Sequence, residues 1–101
     1  MSTRTVQLIA TLTDSDGNPL SNKVIYFYYR EHGASNWTEL GTALTDQYGK
    51  AILEKDVEAP KTYDFKAEFK GDSDYEPSSA EVDNVHVKAK TVLKLEVTVV
   101  S

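Results

Sequence analysis

Alternation with a period of two constrains this chain more than any other feature. Between Thr62 and Lys70, Tyr63, Phe65, Ala67 and Phe69 fall on one side, and Asp64, Lys66, Glu68 and Lys70 fall on the other. Only an extended strand with one buried face places such a set on one side, because successive side chains point to opposite faces. Val6, Leu8, Ala10 and Leu12 alternate in the same way with Gln7, Thr11 and Thr13, with Ile9 as an outward exception. Lys23–Arg30 is β-branched and aromatic, which favours a strand. Ile25 and Phe27 share one of its faces and Val24, Tyr26 and Tyr28 the other, so bulk on both sides leaves the inward face open. A weaker strand spans Trp37–Thr45, interrupted by Gly41. Lys50–Val57 follows with Ala51, Leu53 and Val57 inward, and Glu58-Ala-Pro60 ends it. Ala80–Lys88 and Thr91–Val100 complete about seven strands.

Turn chemistry separates these runs: Asp14-Ser-Asp-Gly-Asn-Pro19, Glu31–Asn36, Asp46-Gln-Tyr-Gly49 and Gly71–Ser79. No stretch carries a helical period. Short strands at this spacing predict an all-β antiparallel sandwich, with a small barrel as the structural alternative. The predicted core is Leu8, Ala10, Leu12, Ile25, Phe27, Leu53, Phe65, Ala67 and Phe69. At 101 residues the chain fits a single domain that needs no staple, and it has no cysteine for a disulfide or a thiolate site. The net charge of −5 opposes nucleic acid and anionic membranes. No apolar run nears the roughly 20 residues of a membrane span, and the N-terminal residues lack a signal-peptide core.

Three segments, Thr11-Leu-Thr-Asp-Ser-Asp-Gly-Asn-Pro-Leu20, Thr45-Asp-Gln-Tyr-Gly-Lys-Ala51 and Tyr63 through Ala80, resemble the bacterial and archaeal Ig-like repeats of surface-layer proteins and adhesins. Gly71-Asp-Ser-Asp-Tyr-Glu-Pro-Ser78 is the most specific part of the likeness. The resemblance implies an immunoglobulin-like β-sandwich of about seven strands over residues 1–101. It also implies a non-catalytic structural, spacer or adhesion role at the cell surface or in a secreted multi-repeat protein, with neighbouring repeats or surface proteins as partners. An Ig-like domain of a virus particle is a third setting. In such repeats a strand precedes the one matching Val6–Thr13. Here none does, and Thr91-Val-Leu-Lys-Leu-Glu-Val97 resembles the opening strand of a following repeat.

The candidate sites are few. His32 and His86 assemble no nucleophile–base pair, so no catalytic residue and no cofactor is expected. Asp14, Asp16 and Asn18 begin like a calcium loop, but Pro19 follows and the closing bidentate Glu is missing. Asp46, Asp72 and Asp74 lie in other loops; solvated turn residues outweigh a calcium site at all five aspartates. Tyr26, Tyr28, Tyr29, Trp37 and Tyr48 could form an aromatic contact surface for carbohydrate or protein, although cross-strand packing is the commoner use of strand aromatics. Tyr63, two residues before Phe65, occupies the place of a corner tyrosine whose hydroxyl bonds nearby backbone.

The last strand poses a problem. Leu93, Leu95, Val97 and Val99 form an apolar face opposed to Val92, Lys94, Glu96 and Thr98. That face must be covered, either in the same chain as a permuted strand or in a neighbouring copy. The connector Lys88-Ala-Lys90 is short and favours pairing beside Ala80–Lys88 in the same chain.

Overall fold

The computed structural model describes residues 2–101. Six strands form: β1 (Ser2–Thr11), β2 (Val24–Glu31), β3 (Thr38–Leu44), β4 (Lys50–Ala59), β5 (Lys61–Phe69) and β6 (Ser78–Val87). β1 pairs with β4, and the second sheet has the order β3-β2-β5-β6. Every pairing is antiparallel. The two sheets pack face to face as a sandwich, and the described residues contain no helix.

The alternation dictates which faces meet. Ile25 and Phe27 turn inward, which settles the face that the sequence left open. Leu12, Ile25, Phe27, Phe65 and Phe69 are buried as expected, while Leu8, Ala10, Leu53 and Ala67 are half-buried. The core has two adjoining lobes. One gathers Leu12, Leu20, Ile25, Phe27, Ala51 and Phe69; the other gathers Val57, Ala59, Tyr63, Phe65 and Val87, with Tyr29 packed against it. Leu8 touches both lobes and joins them. Gly41 lies inside β3 rather than breaking it. A Cβ there would stand 3.1 Å from Leu53 Cδ2, so glycine lets β3 close tightly over β4.

β6 carries a bulge. Tyr63 pairs with Val85 and Phe65 with Val82, so Asp83 and Asn84 together oppose Asp64. The extra residue resets the alternation, so that Ala80 and Val82 before it and Val85 and Val87 after it all face the core side. Asn84 takes a left-handed φ of 60°, which a small polar residue tolerates.

The seventh strand differs from the expectation. Residues 88–101 form no strand pairing. Leu93, Leu95, Val97 and Val99 are 81–96% exposed. The tail stays extended, with Lys94 and Glu96 on one side forming a 3.1 Å ion pair. It lengthens the molecule to 78 Å and raises the radius of gyration to 19.0 Å, against about 13 Å for a compact chain of this size. The reason for the difference is geometric. A hairpin back onto β6 would only widen that sheet and leave the apolar face uncovered. Reaching β1 requires crossing about 10 Å between sheets on a three-residue connector, which leaves little slack.

Candidate functional site

The sandwich is closed on one side by β3 over β4 and open on the other. Between the free edge of β1 and the inner face of β6 runs a groove of about 740 Å³. β1 lines it with Val6, Leu8 and Ala10. Opposite stand Phe65, Ala67, Ala80, Val82 and Val85, with Ile25 and Phe27 at the base. β6 shows the consequence most directly, since all residues from Ser78 to Asn84 are exposed and Val82 is 64% exposed. An inward-facing valine left open to solvent in an otherwise alternating strand means that a covering layer is missing.

The groove has two unlike ends. At one, Arg4 lies near the start of β1 and its Nη1 donates to Lys88 O at 2.8 Å, where the tail departs. At the other lie the loops that hold the five aspartates. Asp14 accepts the N–H groups of Asp16 and Asn18 at 2.9 Å, and the Asn18 side chain as well. Those bonds, led by the Asn18 N–H, hold its carboxyl below the usual range. Asp46 accepts from the N–H groups of Tyr48 and Lys50. Asp72 accepts from those of Asp74 and Tyr75 and from Lys23 Nζ at 2.5 Å; the lysine bond chiefly lowers its pKa, and the same bond raises that of Lys23. Asp14, Asp46 and Asp72 thus each cap their own loop. Among the described residues no three acidic or imidazole side chains converge as a metal site would require.

The aromatic surface divides. Tyr26, Tyr28 and Trp37 lie on the outer face of the β3-β2-β5-β6 sheet, Tyr48 sits apart in the β3–β4 turn, and Tyr29 turns inward to meet Tyr63 edge-on at 6.0 Å. Cations cover the three outer rings: Lys70 over Tyr26 at 3.9 Å, Lys66 over both Tyr28 and Trp37, and Arg30 over Trp37 at 4.1 Å. A sugar would have to displace these aliphatic stems to stack there.

Beneath Arg30 lies a residue whose role the sequence concealed. Alternation puts Asp64 on the outer face with Lys66 and Glu68. Its side chain is instead 2% exposed. It accepts from Arg30 Nε at 2.9 Å, from the N–H of Asn84 at 2.9 Å, and bonds His32 Nδ1 at 2.7 Å. The Asn84 N–H first, then His32, pull its pKa to about 2. This carboxylate holds the β6 bulge in place. Arg30 stands opposite Asp64 on the adjacent strand β2, a pairing that no sequence pattern signals. His86 bonds Thr62 Oγ1 at 2.9 Å, apart from this cluster. Tyr63 donates its hydroxyl to Glu58 O at 2.7 Å, as a corner tyrosine does. Neither a family model, nor a curated protein, nor a solved structure matches the chain.

Proposed function

We propose that this chain is a non-catalytic structural module: an immunoglobulin-like sandwich used as a spacer or adhesion element in a cell-surface or secreted multi-repeat protein. One observation carries the proposal: the ionisable groups are spent on shape. Asp14, Asp46 and Asp72 cap loops, and Asp64 fixes a bulge. Catalytic groups, by contrast, are aimed into a cleft at a reacting atom, whereas this groove is lined mainly by apolar side chains. The two-strand sheet against the four-strand sheet and the Tyr63 hydroxyl bond support the Ig-like assignment.

The test is immunogold labelling of intact cells together with a glycan array. Surface labelling without sugar binding is expected. Labelling confined to the cell interior would refute the location. Glycan binding abolished by Trp37→Ala would replace the spacer role with carbohydrate recognition by the outer aromatic face.

A further inference from the structure

We propose that the groove is the acceptor site for the tail of a second copy of this chain, so that copies join head to tail by strand donation. The proposal does not depend on where the protein resides.

Four observations converge on that occupant. The first is pattern. β1 and the residue after it present Val6, Leu8, Ala10 and Leu12 inward at every second position, and the tail presents Leu93, Leu95, Val97 and Val99 at the same interval. Laid antiparallel, Leu93 opposes Leu12, Leu95 opposes Ala10, Val97 opposes Leu8 and Val99 opposes Val6. Directly opposed residues share a face in such a ladder, so all four apolar pairs point into the groove together. The second is length. In that register Lys94–Ser101 lie along Arg4–Thr11, most of β1, and Thr91–Leu93 run on past its end along Leu12–Asp14.

The third is charge. Lys88, Lys90, Lys94 and Glu96 give the tail a net charge of +2, so residues 1–87 carry −7 of the total of −5. A donor inserted in this register brings its Lys88 and Lys90 to the end of the groove that holds Asp14, Asp16, Asp46, Asp72, Asp74 and Glu76. The fourth is direction. β1 begins where β6 ends, as the bond between Arg4 and Lys88 shows. A tail folding back on its own β1 would therefore run parallel to it. A tail from another copy, arriving at the loop end, runs antiparallel and forms the more stable ladder.

The same geometry sets the assembly. The tail leaves one end of the body and the acceptor opens at the other. A three-residue connector of about 10 Å cannot return along a groove of roughly 33 Å, so two copies cannot exchange tails reciprocally. The contact is heterologous and does not close on itself, which makes an open chain. Each copy adds roughly 40–45 Å, one strand plus one connector.

Two complementary variants test this. Leu95→Asp with Val97→Asp spoils the donor and leaves the groove intact. Val82→Lys obstructs the groove at a position already exposed in the single copy, so the fold survives. The wild-type chain should form concentration-dependent species well above its 11.3 kDa mass, whereas each variant alone should stay at that mass. Mixed, the two variants should form a 1:1 complex and nothing larger. In a cysteine-free chain, Gln7→Cys with Thr98→Cys should then give disulfide ladders between molecules. A wild type that stays monomeric at millimolar concentration overturns the proposal. So does a closed dimer, or a disulfide formed within one molecule. A peptide of residues 88–101 provides a separate readout: it should raise the unfolding temperature of the donor variant, and failure to bind counts against the groove as acceptor.

Discussion

Tyr63→Phe isolates one hydrogen bond inside a packed site. The ring is 3% exposed and lies between Tyr29 at 6.0 Å and Phe65 at 5.8 Å. Its hydroxyl reaches Glu58 O at 2.7 Å and so ties the start of β5 to the end of β4. Burial pushes the Tyr63 pKa up, so the group stays a neutral donor throughout the useful pH range. Phenylalanine keeps the ring and removes the donor. The expected loss is about 1–1.5 kcal/mol, the net worth of one bond, because the Glu58 carbonyl loses a short partner with restricted access to water. For a domain of this size that corresponds to a fall of about 4–8 °C per kcal/mol. Tyr63→Ala removes the ring as well and should cost about 3–5 kcal/mol. The assay is urea unfolding followed by Trp37, the single tryptophan, with the slope required to stay constant. It is best run on the Leu95→Asp, Val97→Asp background, because association would make stability depend on concentration. If Tyr63→Phe unfolds at the same urea concentration as its parent, the hydroxyl bond contributes nothing and the corner role is wrong.

Asp64→Asn should weaken the domain at neutral pH and flatten its acid response. The native carboxyl titrates at about 2 against an ordinary 3.8, so its contribution is complete above about pH 4 and is lost as pH falls towards 2; acid unfolding curves of the two proteins should converge across that window. Gly49→Ala should destabilise far more than Gly33→Ala. Both have positive φ, but a Cβ at Gly49 strikes Leu12 O while none of its neighbours crowd Gly33, so thermal melts should separate backbone strain of roughly 1 kcal/mol from strain plus collision. Phe27→Ala, at 1% exposure, should cost about 3–5 kcal/mol, and Ile9→Ala on the open outer face under about 1 kcal/mol, by the same urea assay. Calcium should leave the melting temperature where a chelator does; a rise of several degrees would show that the loop aspartates bind it.

The sandwich was legible because its strands are amphipathic. Alternation over Tyr63–Phe69 and Val6–Leu12 identifies the buried face without knowledge of the partner strand, and Asp-Gly and Tyr-Gly turns mark the reversals. Two features were hidden for different reasons. Asp64 obeys the outward phase, yet its burial comes from Arg30, His32 and the bulge of the neighbouring strand β6, and no local pattern encodes those contacts. The bulge also breaks the phase of β6, so Val82 and Val85 look opposed in sequence although they share a face. The tail was misplaced for a third reason. Its apolar face announces that it must be covered, but period alone cannot say by which molecule. Connector length favours the same chain, whereas strand direction is what the proposed donation to a second copy rests on.

The grip of Arg4 on the Lys88 carbonyl fixes where tension would enter. The tail departs at the end where β1 starts, and an inserted tail lies along most of β1. A pull along such a chain loads the donor ladder over Arg4–Thr11 in shear. Many backbone bonds must then fail together, whereas a hairpin pulled from one end opens bond by bond. Resistance to force would rest on the length of β1 more than on the affinity of any single contact. Shortening the tail by two residues from Ser101 would reduce rupture force in proportion to the bonds removed, while leaving the unfolding of the body unchanged.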